Sequence, residues 1–147
     1  MKSPEALNDL IAINNDRVNG YEKAATQAKD VDLKTLFNNY ASDSRKFANE
    51  LTDLVNRQGA NPAEGTTLRG KIYRTWMDVK ATFGGDDRKG ILSSCEFGED
   101  AAQRAYKTAL EDQDIPAEAR DLIEKQKKEL RGAHDKIKAM RDSEPTK

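Results

Sequence analysis

The side chains best suited to hold a metal or move a proton are carboxylates, one thiol and one imidazole. Three of the carboxylates, Glu96, Glu99 and Asp100, crowd with Cys95 into the stretch CEFGED at 95–100. Carboxylates on facing helices can hold a hard cation, and a dinuclear site is the fullest version. Carboxylate-bridged di-iron bundles use one Glu from each of two helices and a Glu-x-x-His pair from each of the other two. Glu22 could serve for a first helix, and Glu99 or Glu96 for a third. The second helical stretch offers Asp43 and Glu50 but no histidine. In the fourth, Glu129 and His134 are five residues apart and so point to different faces, and the residue three before His134 is Arg131. Both Glu-x-x-His pairs are absent. What remains is one weaker cation, iron or manganese, at Glu99, Glu96 and His134, because Glu96 falls level with His134.

Other chemistry is scarce. No Ser/His/Asp or Cys/His arrangement follows helical spacing, and the Gly84–Gly85 pair is a turn and not a phosphate-cradling loop. A single cysteine excludes an internal disulfide and, with a single histidine, excludes a zinc-finger-like cluster. Cys95 reads as a small buried hydrophobe, since neighbouring acids raise a thiol pKa and so quench its reactivity. His134 reads as a hydrogen-bonded structural histidine, with a ligand or pH-sensing role second.

Four long stretches with apolar residues spaced three and four apart must position these groups. The first opens with Ser3 as N-cap and Pro4 in the first turn and runs to about 28. The second starts at Asp32 as N-cap and ends near 57, before Gly59. A third runs from about 86 to 110, and a fourth from Pro116 to about 141. The links near 30 and 113 are short, and each forces an antiparallel hairpin. The connection over about 58–86 is long enough to run the length of a bundle, and within it Ile72, Trp76, Val79 and Phe83 mark a shorter helix. The expectation is a single all-α domain over 1–147, a ferritin-like four-helix bundle of two antiparallel hairpins. A fifth short helix lies in the crossover between helices two and three, and a frayed tail covers about 142–147. Trp76 and Tyr73 read as packing anchors.

The apolar seams carry polar intruders: Asn14, Ser44, Glu99 and Gln126. Counting register from the hairpin turns puts all four in one layer. A core-facing carboxylate left unpaired would cost several kcal/mol, so Glu99 needs a partner, a proton or a cation. Three readings compete: a satisfied network of Glu99 with Gln126, Ser44, Asn14 and Arg17, a wet seam edge, and the metal site. A buried, networked Glu99 predicts that Glu99→Gln is nearly neutral or stabilising while Glu99→Ala costs ~1–3 kcal/mol. Within CEFGED, Cys95 and Glu99 face the seam, Glu96 flanks it and Asp100 turns outward.

Lys plus Arg (25) nearly balance Asp plus Glu (26), which leaves no net field to hold a nucleic acid or an anionic membrane. No apolar run reaches the ~18 residues of a membrane span, and no signal-type segment opens the chain, so a cytoplasmic location is expected.

Three segments resemble a bacterial family of ferritin-like four-helix-bundle proteins classed as a domain of unknown function, with stress-associated relatives. They are LNDLIAINNDRVNGYEKAA in helix one, RGKIYRTWMDVKATFGGDDRKGILSSCEFGEDAAQRAYKTAL through the crossover and helix three, and ELRGAHDKIKAMRD in helix four. The Trp76 and 95–100 segments are the most specific. The resemblance implies the ferritin-like fold, an unassigned role and a homodimer, and it supplies no catalytic residues. The leading expectation is therefore a non-enzymatic, stress-associated bundle protein with no cofactor and no assigned protein partner. The alternative is an iron- or manganese-binding protein with a degenerate carboxylate site and oxidoreductase activity.

Overall fold

The structure, a computed structural model, describes residues 4–59, 88–113 and 115–144. Within them the chain is all-helical, with no strand. The four helices are α1 (Pro4–Gln27), α2 (Val31–Arg57), α3 (Arg88–Leu110) and α4 (Ala117–Asp142). The crossover helix with Tyr73 and Trp76, the Ser3 cap and the end of the tail fall outside the described residues.

Local chemistry explains three of the helix ends. Helix α2 begins earlier than the expected Asp32 cap, because the Lys34 N–H already bonds the Asp30 carbonyl at 3.1 Å and closes a first turn around Asp32. It ends at Gly59, whose φ of 76° is the left-handed conformation that glycine adopts without strain. Pro116 stands extended just before α4, and its carbonyl accepts from the Arg120 N–H at 2.9 Å. The fixed proline φ suits that boundary, and the missing N–H is one the helix would leave unbonded anyway.

The helices contact one another as a ring: α1 against α2, α2 against α4, α4 against α3 and α3 against α1. Every neighbouring pair is antiparallel. Lys34 Nζ reaches the Ala25 carbonyl at 3.0 Å while residue 17 faces residue 44. Asn14 meets Tyr106 while Arg17 meets Glu99. Tyr106 meets Gln126 while Asp100 meets His134. Gln126 reaches the Phe47 carbonyl while Arg57 meets Glu118. It follows that α2 and α3, across the ring, run parallel, so α2 ends at one end of the bundle and α3 starts at the other. Arg88 fixes that start by bonding Asp30 (2.8 Å), Asp32 (3.0 Å) and Glu144 (2.7 Å), from the α1–α2 link, α2 and the end of α4.

The apolar core is split. One compartment holds Leu7, Leu10, Ile11, Phe47, Leu51, Leu54, Tyr106 and Ile123 with their neighbours. The other holds Tyr21, Leu33, Phe37, Ile91, Leu92, Cys95 and Ile137. Between them lies a belt of fully buried polar side chains: Asn14, Arg17, Ser44 and Glu99, with Gln126 beside the first compartment. No described helix is long and apolar enough to cross a membrane.

Candidate functional site

The belt is built around a guanidinium. Arg17 follows Asn14 by three residues on α1 and so points into the same seam, where it is 1% exposed. Its Nη2 donates to Glu99 Oε2 at 2.5 Å and its Nη1 to Ser44 Oγ. The guanidinium also lies 5.1 Å from the centre of the Tyr21 ring, a cation–π distance, and the Tyr21 hydroxyl donates to the same Glu99 oxygen. Burial alone would lower the Arg17 pKa, but the charge of Glu99 and its hydrogen bond outweigh it and hold the guanidinium above its ordinary value. Burial, then the Glu99 charge, drives the Tyr21 pKa well up and lifts that of half-buried Tyr40 to about 12.

One turn away, the Tyr106 hydroxyl joins two amides. It accepts from Asn14 Nδ2 at 2.7 Å and donates to Gln126 Oε1 at 2.7 Å, and Gln126 Nε2 goes on to Glu50 at 3.1 Å. Burial pushes the Tyr106 pKa up as well. The belt is not saturated. Glu99 Oε1, Arg17 Nε and Asn14 Oδ1 are buried without a hydrogen-bond partner among the described residues. A pair desolvated this fully gains little over an apolar pair of the same shape, so its clearest effect is to reject every register that separates the two charges.

A second cluster lies on the seam between α3 and α4. Glu96 and Asp100 stand one helical turn apart on α3 and face His134 on α4. His134 Nε2 is 2.6 Å from Asp100 Oδ1 and 3.9 Å from Glu96 Oε2, and Nδ1 is 3.0 Å from Asp135 Oδ1. Arg141 pairs with the other Glu96 oxygen and is itself held by Asp142 at 2.7 Å. Burial lowers the His134 pKa, but hydrogen bonds to Asp135 and then Asp100 more than reverse this, so it stands above the ordinary 6.5. One ligand atom from each of Glu96, Asp100 and His134 lies within 4.8 Å of the others. This group could hold a cation, whether the imidazolium proton or a metal ion.

The residues singled out in the sequence therefore divide between two places. Glu99, Asn14, Ser44 and Gln126 are all fully buried. They form two linked chains and not one layer: Arg17 joins Ser44 to Glu99, and Tyr106 joins Asn14 to Gln126. Gln126 lies opposite Tyr106 and not opposite Glu99. Counting from the middle of the α3–α4 link assumes a symmetric arc, whereas here Ile115 tucks into the core and Arg120 bonds the Leu110 and Asp112 carbonyls, which shifts the register by about a turn. Glu96 and His134 do meet, but the third member of their group is Asp100, half-exposed, and not Glu99. The i, i+4 spacing of Glu96 and Asp100 was the available signal. Arg17 is one of the partners expected for Glu99, and Tyr21 and Tyr106 could likewise have been assembled from their places in the seams. The near-neutrality expected of Glu99→Gln also changes, since its partner is a buried cation that an amide would leave uncompensated. Cys95 is 1% exposed in the second apolar compartment.

Fold and site together define a class: among the described residues, four long helices and no strand, with a buried Arg–Glu pair in the core and a His–carboxylate cluster on one seam. The chain belongs to the family described as "Domain of unknown function (DUF2383)", whose model matches residues 3–112, through α1, α2 and α3. No curated protein matches the chain.

Proposed function

We propose that this chain is a ferritin-like helical-bundle protein that carries out no chemistry in its core. On this reading it is a non-enzymatic, cytoplasmic, stress-associated homodimer. The antiparallel ring and the parallel α2 and α3 support the ferritin-like connectivity. The observation that carries the non-enzymatic part is the Arg17 guanidinium, buried at the centre and bonded to Glu99. A di-iron centre needs converging carboxylates and imidazoles there. These residues do not fit one: a fixed cation occupies the middle, and His134 lies on the outer seam between α3 and α4. Iron(II) added without oxygen and then exposed to air tests this reading. We expect oxidation no faster than the buffer blank and no dinuclear ferric absorption. Stoichiometric oxidation that Glu99→Ala abolishes would overturn it. Sedimentation analysis tests the dimer, and a monomer at micromolar concentration would remove that part.

A second reading is favoured by the convergence of Glu96, Asp100 and His134. It is a metal-binding ferritin-like protein with a degenerate carboxylate site for iron or manganese, and with oxidoreductase activity if the ion cycles. Elemental analysis of protein purified without chelator, repeated on His134→Ala, decides it. Metal present in the parent and lost in the variant supports this reading, and metal in neither defeats it.

A further inference from the structure

We propose that Glu96, Asp100 and His134 form a site for a single divalent transition cation that prefers imidazole, with zinc and cobalt as representatives, and that the bound ion staples α3 to α4. This rests on the metal site of the second reading above, but puts a zinc-class ion where that reading has iron or manganese and gives it a structural role and a count of one.

Three observations carry it. First, the donors come from both helices and converge: one ligand atom each from Glu96, Asp100 and His134 lies within 4.8 Å of the others, with His134 Nε2 2.6 Å from Asp100 Oδ1 and 3.9 Å from Glu96 Oε2. Second, two of the donors are already aimed from behind. Asp135 holds His134 Nδ1 at 3.0 Å, which turns Nε2 toward α3, and Arg141 holds Glu96 Oε1, which leaves Oε2 facing the imidazole. A carboxylate behind the far ring nitrogen is how metal-ligating histidines are normally oriented and made more basic. Third, the donor chemistry selects the ion. Two carboxylates balance a divalent charge, and the imidazole favours zinc, cobalt, nickel or copper over magnesium or calcium.

The rearrangement needed is small. Nε2 and Asp100 Oδ1 stand 2.6 Å apart, a distance bridged by a proton. Two ligands about 2.1 Å from one metal sit roughly 3 Å or more from each other, so the ion displaces the Nε2 proton to solvent and moves Asp100 outward by a few tenths of an ångström. The Asp100 side chain is 47% exposed and free to move, and the same opening admits water to complete the coordination shell. Among the described residues no further His, Cys, Asp or Glu joins the group, so one ion is expected and not two.

The test uses the full, untagged chain stripped with chelator and titrated at constant pH with zinc, cobalt or magnesium chloride. The chain has a single histidine, so any cobalt spectrum with a nitrogen ligand reports His134. We expect one equivalent of zinc or cobalt to bind and raise Tm, with magnesium at least 100-fold weaker. His134→Ala should lose the site. Asp100→Asn, which alters only a half-exposed side chain, should weaken binding at least tenfold with the apo fold unchanged by circular dichroism. Asp135→Asn, a positioning variant, should weaken it about tenfold. If no ion binds, both this inference and the metal reading fail. If iron or manganese binds as a pair that is lost in His134→Ala, the metal reading stands and this inference falls, whereas binding that survives His134→Ala defeats both. Magnesium binding as tightly as zinc, or binding with no rise in Tm, also overturns it.

Discussion

Glu99 and Asp100 are neighbours on α3, yet they lie in opposite electrostatic settings. Glu99 is sealed in the belt with Arg17, and Asp100 meets His134 on a seam open to solvent. Both carboxylates meet a basic side chain at hydrogen-bond distance. What differs is the environment each charge would face if its partner were removed. Water can replace a partner at Asp100, whereas nothing replaces Arg17 beside Glu99. The belt is therefore a device of register and specificity, and the seam is where a charge can change partners.

The sharpest way to break the comparison is Arg17→Met, which strands the Glu99 charge and should cost about 3–5 kcal/mol in urea denaturation. A cost below about 1 kcal/mol would mean that solvent reaches the belt. The companion double variant, Arg17→Met with Glu99→Leu, removes both charges and is expected to lie within about 1 kcal/mol of the parent or above it, because the desolvation cost disappears with the pair. Next in size is Tyr106→Phe. It leaves Gln126 Oε1 without its donor and breaks the bond to Asn14, for about 1–3 kcal/mol.

On the seam the effects shrink. Asp100→Asn in metal-free protein should cost less than about 1 kcal/mol, with the loss fading in high salt, whereas the belt variants should be insensitive to salt. The smallest effect is a slope with pH. The His134 pKa is raised in the folded state, so the stability it adds is complete below about 6.5 and is lost as pH rises through the higher folded value. Stability of the chelated parent against pH, compared with His134→Gln, should show an extra decline above 6.5 in the parent only. Parallel curves would mean that the imidazole gains nothing from Asp100 and Asp135.

Much of the fold was legible because helical periodicity is local. The apolar spacing on α1 to α4, the Gly59 stop and the Pro116 start all act within a few residues. The intruders Asn14, Ser44, Glu99 and Gln126 also stood out, since a polar side chain on an apolar stripe is visible in one dimension. Which of them touch was not legible. That depended on a register set by the folded link around Ile115 and Arg120, and on how far long side chains such as Arg17 and Arg141 reach.

By itself, then, the sequence determined the helices, their inward faces and the presence of buried polarity, because each follows from spacing along one chain. Only the tertiary structure decided that Arg17 answers Glu99, that Tyr106 bridges Asn14 to Gln126, and that Asp100 joins Glu96 and His134. Apart from Glu96 and Asp100, which share a helix, those pairings join residues from 20 to 92 positions apart, and a shift of one helical turn in register would exchange the partners between helices.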